Sequence, residues 1–137
     1  MAAMQHRFGD GTLVRPPLTL IGYWEGKYDP RWPRVTDFVD EHWDQRERRQ
    51  VAQYLHEEGF SVPWRAAGGS RCRFCGVPNG TNELTDGVYL WPEGLAHYVR
   101  EHGVRLPASV IRHILRRPRL RQELVNEEWW ETATLDS

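Results

Sequence analysis

The chain has 137 residues, 39% of them hydrophobic and 12% aromatic, with a formal net charge of −1. That is enough chain for one domain with its own core, and too near neutral for a surface that is basic throughout, as in many nucleic-acid- or membrane-binding proteins. No apolar run reaches the roughly 20 residues of a membrane span, and two Cys without a secretory h-region point to a reducing, cytoplasmic setting with no membrane partner.

Residues 1–12 are polar and Gly-containing and read as a flexible end. Leu13 to Trp24 reads as extended chain broken by Pro16-Pro17, with Leu18-Thr19-Leu20-Ile21 as its best strand. Proline cannot donate to a ladder, so pairing should begin after Pro17. Gly22 to Pro33 is a loop holding Tyr23, Trp24, Tyr28 and Trp32. It is either a partner-binding surface or, the more ordinary use, a lid on its own core. A short helix is expected over Val35 to Trp43, with Thr36 or Asp37 as cap. A second starts at Asp44-x-x-Glu47, a capping-box pattern, and ends at Gly59. Val51, Tyr54 and Leu55 keep its inward period, while Arg46, Arg48 and Arg49 form a solvated face. Phe60 to Ser70 is extended, then loop. Thr81 to Trp91 is expected as a hairpin turning at Thr85-Asp86-Gly87, since Asp-Gly favours positive φ. Pro92 suits the first turn of the next helix, whose packing face is Leu95, Tyr98 and Val99. A further helix spans Pro107 to Arg117 with Val110, Ile111, Ile114 and Leu115 as its stripe. A last one, from about Pro118 to Trp130, buries Leu120, Leu124 and Trp129, and residues 132–137 form a flexible tail.

Chemistry concentrates between Cys72 and His102. Cys72-Arg73-Phe74-Cys75-Gly76 places two thiols three positions apart, and His97 and His102 follow 21 residues later with four residues between them. This is the ligand order of a Cys2His2 zinc site. A Cys-x-x-Cys turn lets two thiolates converge, and a Gly after it suits a tight knuckle. Five helical steps carry a side chain about 140° further round, so both imidazoles meet one ion only if the last turn loosens. Gly103 allows that. His113, His56 and His42 are the alternatives to His102. The ordinary reading of the same residues is two small buried Cys, a core His97 and a solvated His102 at a helix end. A redox dithiol is disfavoured because Val77-Pro78-Asn79-Gly80 is turn chemistry, not the helix such a motif opens. The segment resembles a treble-clef zinc module in outline: knuckle, hairpin, then a helix bringing the remaining ligands.

Two other functional classes compete with a zinc-stabilised interaction domain. Arg105, Arg112, Arg116, Arg117, Arg119 and Arg121 come without an intervening acid, a candidate phosphate-contacting face for RNA or DNA. Pairing with the acidic segment after it explains the same run, as Arg119 and Glu123 are four apart. His56-Glu57-Glu58 ahead of Cys72 and Cys75 bears a faint likeness to zinc deaminases, but no Pro precedes Cys72, and four ligands would leave no position for water. Asn79 to Gly87 is polar and lies beside the metal segment, in residue types that turns require. Around Cys-x-x-Cys-Gly, Leu84-Thr85-Asp86-Gly87, Trp91-Pro92-Glu93-Gly94-Leu95-Ala96-His97-Tyr98 and Val104-Arg105-Leu106-Pro107 the chain is similar to a group of small bacterial proteins. The likeness runs from about Tyr23 to Leu115, implies a shared fold and carries no activity with it.

The sequence therefore predicts one α+β domain over 1–137, with a small antiparallel sheet, four or five helices and a zinc-binding module at 70–104. The expected zinc ligands are Cys72, Cys75, His97 and His102. The expected role is non-catalytic. Trp24 and the surface around Trp91 are candidate contacts for another protein, and Arg112, Arg116 and Arg117 for nucleic acid.

Overall fold

Val88-Tyr89-Leu90-Trp91 is a run of strand-favouring residues, and Tyr89–Pro92 becomes one of the two inner strands of the larger sheet. The computed structural model describes residues 6–7, 13–14, 17–27, 29–62, 69–116 and 127–137. In chain order the strands are β1 (His6–Arg7), β2 (Leu13–Val14), β3 (Thr19–Leu20), β4 (Phe60–Val62), β5 (Glu83–Thr85) and β6 (Tyr89–Pro92). The helices are α1 (Gln45–Glu57), α2 (Leu95–His102), α3 (Ala108–Arg116) and α4 (Glu128–Glu131). β1 and β2 pair with each other, and the larger sheet has the order β3-β6-β5-β4.

This α+β sheet is mixed, not wholly antiparallel as expected. β4, β5 and β6 form antiparallel pairs, whereas β3 lies parallel to β6, with Thr19 opposite Tyr89 and Leu20 opposite Leu90. The two strands lie far apart in sequence, so no hairpin dictates their direction; the chain between them includes α1, which makes the crossover a parallel pair needs. In the larger sheet pairing begins after Pro17, but Leu13 and Val14, ahead of the prolines, already pair with Arg7 and His6, so the expectation fails for the β1–β2 ladder. The hairpin turn forms at Asp86-Gly87: Gly87 takes φ 92°, and the Asp86 carboxylate accepts the Val88 and Tyr89 amides, both at 2.9 Å.

The expected helix over Val35 to Trp43 is only a 3-10 turn, Val35–Phe38. Val39 instead bridges to Val104, the Asp40 amide donates to Gly103 O, and the Arg105 amide donates to Phe38 O. Tertiary pairing thus outweighs a weak local helical preference. α1 starts as expected, with the Asp44 carboxylate accepting the Glu47 amide at 3.0 Å. The Glu47 carboxylate does not close the box; it accepts the Trp43 indole N–H and pins Trp43 in the core. Pro92 ends β6 rather than opening α2, which begins three residues later at Leu95.

Val51, Tyr54 and Leu55 of α1 pack with Leu95, Tyr98 and Val99 of α2 and with Val110, Ile111 and Ile114 of α3 in one core. Leu115 lies outside that stripe, at 44% exposure. Trp129 is also a correction: α4 is a single described turn, and Trp129 and Trp130 stand 60% and 75% exposed. Leu120, Leu124 and Arg117 lie outside the described residues.

Candidate metal centre

The knuckle is a short turn closed on itself. Arg71 bridges Pro78, the Cys72 amide donates to Val77 O at 3.0 Å, and the Gly76 amide donates to Cys72 O at 2.9 Å. Gly76 sits at φ 72°, where a side chain would be strained. The Phe74 amide donates to Cys72 Sγ, 3.4 Å away, and so helps fix the sulfur's position in the turn.

α2 supplies the other half. Its last turn is widened: the amides of Gly103, left-handed at φ 64°, and of Val104 both reach Tyr98 O, five and six residues back. The expected loosening brings the rings of His97 and His102 to 5.1 Å, centroid to centroid. The end is held from outside as well. Arg48 of α1, expected on a solvated face, donates Nε to Val99 O at 2.9 Å and a terminal amine to Arg100 O at 2.6 Å. It thereby caps carbonyls that a helix end leaves without partners.

Knuckle and helix meet at four side chains. One ligand atom from each of Cys72, Cys75, His97 and His102 lies within 4.8 Å of all the others, a group that could hold a metal ion. Cys75 Sγ and His97 Nε2 are 3.4 Å apart, close to the edge of about 3.6 Å that tetrahedral zinc–sulfur and zinc–nitrogen bonds imply. His102 Nε2 is buried and has no hydrogen-bond partner among the described residues. Such a nitrogen is costly unless something coordinates it. Burial, reinforced by neighbouring His97 and Arg48 against an opposing Glu101, pushes the His102 pKa below its ordinary value and favours the neutral, ligating form. Both cysteines are free thiols, Cys72 buried and Cys75 exposed. The donor set and the orphaned nitrogen therefore fit a divalent ion.

The alternatives to His102 lie elsewhere. His113 Nε2 is 2.7 Å from Asp86 Oδ2, His56 is exposed on α1, and His42 is exposed beside Asp40. Trp91 is only 1% exposed and donates Nε1–H to Leu55 O, so it is a core residue and presents no face to a partner. Trp24 is 6% exposed and packs on Phe38 and Tyr98, as a lid residue would. Arg112 and Arg116 are exposed on α3, whereas Arg105 pairs with Asp40 at 2.9 Å.

Arg48 and Glu83 gave no sequence signal of a role here, and Asp86 gave only that of a turn. Asp86 read as turn chemistry, yet it is 4% exposed and also accepts the Tyr54 hydroxyl at 2.6 Å. Burial works to raise its pKa, but the hydrogen bonds from Tyr54, His113 and the Tyr89 and Val88 amides outweigh it and hold the carboxyl below its ordinary range. Among the described residues, no helix is long and apolar enough to cross a membrane. No protein-family model, curated protein or solved structure matches this chain, so the likeness to small bacterial proteins gains no support there, and what stands is a group of four side chains that could hold a metal ion.

Proposed function

We propose that the chain is a non-catalytic, cytoplasmic interaction domain that binds another protein, its Cys72–His102 segment held by zinc in a treble-clef-like arrangement. The convergence of four donors from the knuckle and α2 supports this reading most directly. Two thiols and two imidazoles suit a borderline-soft tetrahedral ion better than calcium or magnesium, which prefer oxygen. Cys72, Cys75, His97 and His102 would hold the ion, and four protein donors leave no position for a reactive water. That weighs against the hydrolase reading, which a hydrolytic activity lost in Glu58→Gln would restore.

Elemental analysis of the purified protein tests the proposal. About one zinc per chain is expected, absent from Cys75→Ser and depleted in His102→Ala. Folded wild-type protein that takes up no zinc would overturn it. Nucleic-acid binding is the second reading, favoured by the exposure of Arg112 and Arg116 one helical turn apart. Salt-dependent RNA or DNA binding, abolished by replacing Arg116 and Arg117, would put it first.

A further inference from the structure

A second site lies where the aromatic loop meets the chain leaving the knuckle. There a cavity of about 190 Å³ is lined by Tyr23, Trp24, Asp29 and Trp32 of the loop together with Arg73 and Glu83. Glu83 is 6% exposed, and its Oε2 is buried with no hydrogen-bond partner among the described residues. A buried carboxyl oxygen without a donor is costly, and β5 nonetheless holds it there. The indole Nε1 atoms of Trp24 and Trp32 are likewise buried and unpartnered among the described residues. Arg73 ties the knuckle to the loop: its guanidinium donates to Trp24 O at 3.1 Å and Glu25 O at 3.0 Å, and its amide donates to the Tyr98 hydroxyl. Arg73, the guanidinium in that lining, is thus already bonded to backbone, and Glu83 Oε2 has no donor among the described residues.

We infer that this cavity binds a small organic cation, an alkylammonium or alkylguanidinium group, with Glu83 accepting its N–H and aromatic rings walling its stem. A cation supplies the donor that Glu83 lacks, and aromatic faces tolerate it. The volume is below the roughly 300–1,000 Å³ of pockets for drug-sized ligands, so the occupant is a single short group. Its source is either a free small amine or a basic side chain of a partner protein. Only the second rests on the interaction-domain reading; neither depends on which metal Cys72 and its companions hold.

The test uses the full chain, purified with its zinc content measured, and follows the indole ¹H–¹⁵N resonances of Trp24 and Trp32. The probes are butylammonium, butylguanidinium, neutral 1-butanol, and blocked tripeptides centred on Lys, Arg or norleucine. A cationic probe is expected to saturate at roughly millimolar concentration, with its neutral counterpart about tenfold weaker or more. Glu83→Gln, checked for folding by circular dichroism, should bring the cation down to the neutral level. Saturation by a free amine or guanidine assigns a small-molecule ligand; saturation by a basic peptide alone assigns a partner's side chain. Equal binding of cationic and neutral probes to the wild type, full affinity in folded Glu83→Gln, or no indole response to any probe overturns the inference. Zinc-free protein that still binds the cation keeps this site and refutes only the metal reading.

Discussion

Replacing Asp86 by Ala should be among the most damaging single changes in the chain. Asp86 sits in the β5–β6 turn, and its carboxylate accepts the Tyr54 hydroxyl, the His113 ring and two backbone amides. The Tyr54 hydroxyl belongs to a residue only 6% exposed, and losing this acceptor costs about 1–3 kcal/mol. The two amides lie beside an exposed Val88 that water can reach, so each costs about 0.5–1.5 kcal/mol. His113 has a 22% exposed side chain and can turn to solvent. The sum is about 2–6 kcal/mol, which lowers Tm by roughly 6–30 °C in a domain of this size. Thermal and urea unfolding at pH 7, followed by circular dichroism, measure it. Tyr54→Phe alone should cost about 1 kcal/mol, and the double variant should fall short of the sum because the two share a bond. A loss below about 1 kcal/mol for Asp86→Ala would refute the assignment of Asp86 as the link between sheet and helices.

Further predictions follow from the same contacts. Because the folded Asp86 carboxyl titrates below its ordinary 3.8, its stabilisation is present above that pH and lost as pH falls through the folded value. Asp86→Asn should therefore unfold with a shallower pH dependence below about pH 4, seen in parallel acid titrations. Arg48→Met should cost about 1–2 kcal/mol and weaken zinc retention against a chelator, since the α2 carbonyls beside His102 lose their cap. Gly94→Ala should be worse than Gly76→Ala in unfolding assays. A Cβ on Gly94 would lie 2.4 Å from Asn79, whose amide donates to Gly94 O, whereas one on Gly76 meets nothing within 4 Å and suffers only its φ of 72°. Gly103→Ala should destabilise by about 1–2 kcal/mol through its left-handed backbone and should also lower zinc affinity, read by competition with a chelator.

The parts of this protein that were legible in sequence are those governed by local geometry. Spacing alone marked Cys72, Cys75, His97 and His102, because a knuckle and a loosened helical end need only those intervals and a glycine after each pair. The Asp-Gly turn, the Asp44 cap and the inward faces of α1 and α2 were equally readable, since each depends on residues within a few positions of one another. Tertiary structure decided the rest. The parallel seat of β3, the recruitment of Val39 into a bridge with Val104, the burial of Trp91, the Arg48 cap on α2 and the carboxyl of Glu83 beside the aromatic loop all join residues many positions apart. No periodicity records such contacts, because they are selected by burying shared apolar surface and by finding partners for buried polar groups once the elements have met.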